Sequence, residues 1–267
     1  MALKNARNVV FRVRTSNEFL YEDIADLAAG RCAAIRVPNC ISAVTNRQML
    51  DVLSKTDFES YGERRVFPVV KRFGVAVSDH REDGGVRESY WHSLHSAKNS
   101  WNQLGLGFDV FEFCRDALGK HWQGPVVVGQ RGGREMGPGV VREPNGGFVV
   151  HFDDASREFS GDLLDDHLVS QFAFNLYLSV PEHGGQTVVW RHRWSPADEA
   201  HRIPNSYGYY ESVVDWAESI EIEPQVGEAV LVDSRNYHAV RPSAGSRRIA
   251  LGFSVGLSTS GALLTWG

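Results

Sequence analysis

The chain has 267 residues, 42% of them hydrophobic and 11% aromatic, enough to bury one sizeable core. Its formal net charge of -5 provides no basic field to recruit nucleic acid or an anionic membrane surface. No apolar run approaches the roughly 20 residues of a spanning helix, and residues 1–8 lack the apolar stretch of a secretory leader, so the expected location is cytoplasmic.

In chain order, Thr15-Ser-Asn-Glu18 has the form of a capping box, and Phe19, Leu20, Ile24, Leu27 and Ala28 recur at helical spacing. Together they predict a helix over about 16–29. Ala33 to Val37 reads as a short strand closed by Pro38. A second helix starts near Ser42 and turns Met49, Leu50 and Leu53 inward, and two more fall within 87–104 and 109–119. Cys32, Cys40 and Cys114 are odd in number and form no C-x-x-C pair, so they are read as reduced, mostly buried thiols.

From about residue 124 the texture changes to short apolar or alternating runs between glycines and prolines. These are Pro125 to Val128, Phe148 to Val150, Phe172 to Val180, Thr187 to Trp190, Glu228 to Val232 and Arg248 to Val255. Strands at this density argue for a sandwich or barrel, with the helices packed outside it. Segments 78–87, 131–139 and 192–211 read as loops. No repeat or linker divides the chain, which is taken as a single domain over 1–267, its helical and substrate-shaping part at about 1–123 and its β core at about 124–267.

The chemistry is carried by His151-Phe-Asp153, followed by His238 and the pair Arg247-Arg248. Ten histidines and 33 acidic residues give about one H-x-D/E by chance, so context must decide. His80-Arg-Glu82 lies among charged residues and glycine and reads as a solvated loop. His151-Phe-Asp153 comes straight off Gly147-Phe-Val-Val150, so in extended chain residues 151 and 153 point the same way. With His238 from a distant strand, two imidazoles and one carboxylate occupy one face of a metal and leave the other open, the donor set of non-haem Fe(II) oxygenases. His92 and His95 are three apart on a helix without a third ligand and read as surface.

The stretch from about 140 to 256 resembles the Fe(II)/2-oxoglutarate-dependent dioxygenase superfamily. The resemblance is carried by His151-Phe-Asp153, Asn175-Leu-Tyr-Leu-Ser179, Gly184-Gly-Gln-Thr187, Gly227 to Val232, and His238 to Arg247 leading to Gly252-Phe253. Leu178 to Gly185 and Trp194-Ser-Pro196 are most similar to a bacterial group of N-substituted amino-acid hydroxylases and alkaloid halogenases. The resemblance implies an α+β, mainly β fold, a double-stranded β-helix (jelly-roll) core with flanking N-terminal helices. It implies Fe(II) on His151, Asp153 and His238, with 2-oxoglutarate and O2 as cosubstrates and succinate and CO2 as coproducts. In the halogenases a small residue replaces the carboxylate ligand; here Asp153 fills that place, which favours hydroxylation.

The family's arginine for the far carboxylate of 2-oxoglutarate falls on Arg247 or Arg248. Alternation places Arg247 with Ile249, Leu251 and Phe253, and the bulky set is expected inside the barrel, so Arg247 is the choice. Tyr177 stands where prolyl-hydroxylase-like members hold the same carboxylate, with Asn175 and Thr187 expected on its surface. The implied reaction is hydroxylation of an unactivated C–H in a small natural product or amino-acid derivative, shaped by 66–90 and 192–211. Desaturation, epoxidation or cyclisation, hydroxylation of a protein side chain, and a cupin-like binding protein stand as alternatives.

Overall fold

The computed structural model describes residues 11–62, 66–160 and 162–267. The 1–8 run read above for a leader lies outside them. Among the described residues, ten strands form one large sheet. Its central order is Val13–Thr15, Ala34–Val37, Ala229–Asp233, Leu168–Ser179, Ile249–Ser258, Val140–Glu143, Lys71–Phe73 and Glu59–Ser60. Leu263–Trp266 also pairs with Ile249–Ser258 and carries Val126–Val128 beside it. A second sheet runs Phe148–His151, Asn236–Val240, Thr187–Arg193, Ser219–Ile222. Strands from the first third therefore join the same sheet as the expected β core.

Side-chain alternation decides which way each sheet faces. On the large sheet Phe172, Phe174, Leu176, Ile249, Leu251 and Phe253 share one face, with Phe174 stacked on Phe253 at 4.5 Å. That face packs under helices α1 (Tyr21–Ala28), α2 (Ala43–Leu53) and α4 (Val110–Gly119) through Ile24, Leu27, Met49, Leu53, Phe111 and Cys114. On the opposite face Tyr177, Val230, Val232 and Ala250 meet Val189 and Ile222 of the small sheet. The small sheet's outer residues Val188, Trp190, Tyr237 and Ala239 are covered by Trp194, Tyr209, Val213 and Val214. The space between the two sheets is where the functional residues collect.

Local signals held where a side chain satisfies a helix end. Ser42 caps α2 by accepting from the Thr45 N–H at 3.1 Å, and Asp109 caps α4 by accepting from Phe111 and Glu112. The expected start of the first helix does not hold. Residues 13–15 pair in parallel with 34–36, so Thr15 is in a strand and α1 begins six residues later with no side-chain cap. The backbone ladder outcompetes a cap that offers only one or two hydrogen bonds. Helix α3 (Ser89–Gln103) lies within its expected range, and the two glycine-rich loops fold as small hairpins, Arg81–Glu82 with Gly85–Val86 and Gln130–Arg131 with Arg134–Glu135. Cys32 and Cys114 are buried thiols and Cys40 is half-buried. No helix among the described residues is long and apolar enough to cross a membrane.

Asp233 closes the strand that leads into the site. Its carboxylate is fully buried and accepts from Arg193 at 2.7 Å and from Arg235 Nε and Nη2 at 2.9 Å. Removing one partner of a buried ion pair leaves the other charge uncompensated. Asp233→Ala is expected to lower stability by about 3–5 kcal/mol, read by urea unfolding. Arg193→Ala, at a half-exposed partner, is expected to cost less than about 1 kcal/mol.

Candidate active site

Phe148–His151 and Asn236–Val240 are neighbours in the small sheet, and their register sets His151 directly opposite His238. The two imidazole centroids are 4.2 Å apart. Each ring donates from Nδ1 to the carbonyl two residues earlier, His151 to Val149 at 2.8 Å and His238 to Asn236 at 3.0 Å. A carbonyl can only accept, so this fixes the tautomer and leaves both Nε2 lone pairs free to bind a metal. Asp153 lies two residues beyond the strand end. Its N–H donates to the Ser234 carbonyl at 2.8 Å and its own carbonyl accepts from Ser234 Oγ at 3.0 Å, which bolts it to the turn between Ala229–Asp233 and Asn236–Val240. One Asp153 oxygen stands 3.5 Å from His238 Nε2, and one ligand atom from each of the three residues lies within 4.8 Å of the others.

The electrostatics suit a divalent cation. Burial, then the charge of His238, push His151 down to about 4, so it is neutral near pH 7. For Asp153 burial works the other way, but the hydrogen bond to His238 and the charges of both imidazoles and Arg142 outweigh it and hold the carboxyl well below its usual range. Burial opposes protonation of His238, yet the hydrogen bond and charge of Asp153 raise it. Two nitrogens and one ionised oxygen converging on a point match the hard-to-borderline donor set of Fe(II).

The arginine pair is reversed from expectation. Arg248 is 3% exposed and faces the space between the sheets, donating from Nε to the Gly185 carbonyl at 3.0 Å and from Nη2 to Thr187 Oγ1 at 3.4 Å. It lies 5.1 Å from the Tyr177 ring, and Tyr177 shares a 3.2 Å hydrogen bond with Thr187. Arg247 points the other way, half-exposed over Phe58, and pairs with Glu143 at 2.5 Å. The bulky residues beside Arg247 face the helices, whereas the inner face carries Ala173, Ala250, Gly252 and Ser254, small enough to leave a cavity. No carboxylate among the described residues pairs with Arg248. An uncompensated buried guanidinium is costly, and a ligand carboxylate would offset that cost.

The cavity holds about 870 Å³ and takes in His151, Asp153, His238, Asn175, Thr187 and Arg248. Tyr177 backs it through Thr187. Its roof comes from the 192–211 segment, pinned down where the Tyr209 N–H donates to the Val150 carbonyl at 2.7 Å. Arg202, Tyr207 and Tyr209 line the cavity, and the Tyr207 ring stands edge-on to His151 at 5.1 Å. Arg191 and Arg193 of the same stretch are turned away, paired with Glu218 and Asp233. Asp79, Arg81 and Arg87 from the 66–90 region form part of the mouth. Tyr61 and Arg142 are among the lining residues that went unread in the sequence. Alternation in Val140–Glu143 sets Arg142 on the face opposite its buried neighbour Val141, a signal that was available.

Among the described residues this triad is the one cluster of its kind; His92 and His95 lie exposed on α3. Comparison with known proteins agrees with what the triad and the buried arginine suggest. The chain is 38% identical over 251 residues, 93% of each chain, to the L-gamma-glutamyl-L-propargylglycine hydroxylase of Streptantibioticus cattleyicolor. It is 31% identical over 187 residues, 67% of this chain and 74% of the other, to the leucinostatins biosynthesis cluster protein S of Purpureocillium lilacinum. The family described as carrier-protein-independent halogenase WelO5 matches residues 141–266. Among solved structures, an N-substituted L-amino acid dioxygenase from Burkholderia ambifaria, in complex with alpha-KG, shares the fold with a TM-score of 0.58. That match is 17% identical and covers 92% of this chain and 91% of the other. The chain belongs to the Fe(II)/2-oxoglutarate-dependent dioxygenase superfamily. Within it the chain is similar to the group that holds N-substituted amino-acid hydroxylases and the WelO5 halogenases, and it is an oxygenase that uses iron and 2-oxoglutarate.

Proposed function

We propose that the protein hydroxylates an unactivated C–H bond of a small amino-acid derivative or related natural product, with Fe(II) held by His151, Asp153 and His238. The observation that carries this reading is the cross-strand pair His151 and His238, each with Nδ1 committed to a backbone carbonyl, beside the ionised Asp153. Arg248 is the anchor for the far carboxylate of 2-oxoglutarate, with Thr187 and Tyr177 fixing its fork and Asn175 on the adjoining wall. Bound together, Fe(II) and 2-oxoglutarate supply the O2 activation that yields succinate, CO2 and an oxidised C–H bond. The protein's share is position: Arg248 sets how deep the cosubstrate sits, while Tyr207 and the roof shield the triad and hold the target carbon against it.

The two sheets with shared inner face are read as a double-stranded β-helix, and strands from both ends of the chain in one sheet support a single domain over 1–267. The lack of any long apolar helix among the described residues and the negative formal charge favour a cytoplasmic enzyme with a small-molecule partner, not a membrane or nucleic acid. Asp153 favours hydroxylation over the halogenation performed by the matched family, because the carboxylate takes the position a halide needs.

The reading is tested by adding 2-oxoglutarate to the anaerobic Fe(II) protein and recording the visible charge-transfer band, then screening amino-acid derivatives for O2-dependent succinate release. A band with no succinate from any compound would favour the cupin-like binding protein. Product mass separates hydroxylation from desaturation or cyclisation.

A further inference from the structure

Besides Arg248, and Arg81, Arg87 and Arg202 of its mouth and roof, the cavity takes in one more guanidinium. Arg142, on Val140–Glu143, donates from Nε to the Tyr61 hydroxyl at 2.9 Å, and its terminal nitrogens pair with no carboxylate among the described residues. It lies over Gly252: a Cβ there would sit 3.1 Å from both Arg142 Nη1 and Asn175 Oδ1, so glycine is what lets both side chains reach across the strand. Arg142 lines the same cavity as His151, Asp153 and His238. The acidic residues at the mouth are engaged elsewhere, Asp79 with Arg72 and Glu158 with Arg81.

We propose that Arg142, steadied by Tyr61, binds a carboxylate of the substrate, so that the enzyme selects carboxylate-bearing small molecules. The inference rests on the Fe(II)/2-oxoglutarate reading above. In that reading the ferrous ion, Asp153, the doubly charged cosubstrate and Arg248 sum to no net charge. Among the described residues Arg142 is then a surplus cation in a half-buried wall, and a further anion balances it. Tyr61 supports this occupant, because it enters from the N-terminal part that shapes the mouth and not from the strands around Arg248. A planar fork with one edge fixed by a hydroxyl presents its remaining edge for a two-point carboxylate contact.

The test uses the full-length anaerobic Fe(II) protein saturated with 2-oxoglutarate, its visible band serving as the binding readout. It is titrated with L-gamma-glutamyl-L-propargylglycine, with the C-terminal amide of that dipeptide, and with acetate. Wild type is expected to bind the acid more tightly than the amide. Arg142→Met should weaken the acid about ten- to hundredfold, erase its advantage over the amide, and leave 2-oxoglutarate affinity within about twofold. Arg142→Lys keeps the charge and should retain part of the preference, which preserves the test if the methionine variant does not fold. Equal weakening of 2-oxoglutarate and dipeptide would overturn the proposal and assign Arg142 to the cosubstrate's near carboxylate. Unchanged acid binding by Arg142→Met, or a cosubstrate-loaded wild type that binds neither dipeptide nor acetate, would also overturn it. Absence of the band in wild type would instead strike the underlying iron reading, so the two failures are told apart.

Discussion

Replacing His238 by alanine is expected to abolish iron-dependent succinate formation, a loss greater than about a hundredfold, since partners that merely orient a metal ligand already contribute 10–100-fold. The argument is geometric. His238 sits in the central pair of the small sheet, 7% exposed, with Nδ1 already committed to Asn236, so Nε2 has one direction to point. Without it the remaining donors are His151 and a single carboxylate, too few to hold the ion in a fixed orientation. His151→Ala should behave alike. His92→Ala, on the exposed face of α3, should leave iron content and turnover unchanged. The measurements are bound iron, the visible band with 2-oxoglutarate, and succinate. Retained activity in either triad variant would remove that residue from the ligand set.

The triad was legible in the sequence because Gly147-Phe-Val-Val150 announces the strand that delivers His151, while Asp153, just past its end, is placed by its hydrogen bonds with Ser234. What the sequence could not supply is register: that residue 238 lies across from 151, and not from 149 or 153, is decided by the whole sheet. The same limit explains the reversed arginines. Alternation correctly separated Arg247 from Arg248, but bulk was taken to mark the barrel interior. In this chain the bulky face is buried under α1, α2 and α4, while the interior is kept small by Ala173, Ala250 and Gly252 to hold ligands. Both faces of the sheet are buried, so hydrophobicity alone could not rank them. Thr15 failed for a related reason, since a parallel partner, Arg36, 21 positions away in sequence settled its conformation.

The arginine pair yields the second large effect. Arg248→Ala is expected to weaken 2-oxoglutarate by about a hundredfold or more, because truncating one side of a desolvated charge pair costs roughly 2–5 kcal/mol. Arg248→Lys should recover only part of this, as a point charge cannot reproduce a fork already aligned by Gly185 and Thr187. Arg247→Ala should leave 2-oxoglutarate affinity unchanged and cost about 1 kcal/mol of stability, since its partner Glu143 is buried but also accepts from Asn145. The two positions should also differ in the absence of cosubstrate. Arg248 is then a buried cation without a counter-charge, so Arg248→Met is expected to be as stable as wild type or more so. Added 2-oxoglutarate stabilises wild type by an amount that grows with the logarithm of concentration over Kd, and that gain should nearly vanish in the variant. Thermal unfolding with and without 2-oxoglutarate reads both effects at once. A large cosubstrate-dependent shift kept by Arg248→Met but lost by Arg247→Ala would mean that the arginine facing the cavity is not the one that holds the carboxylate.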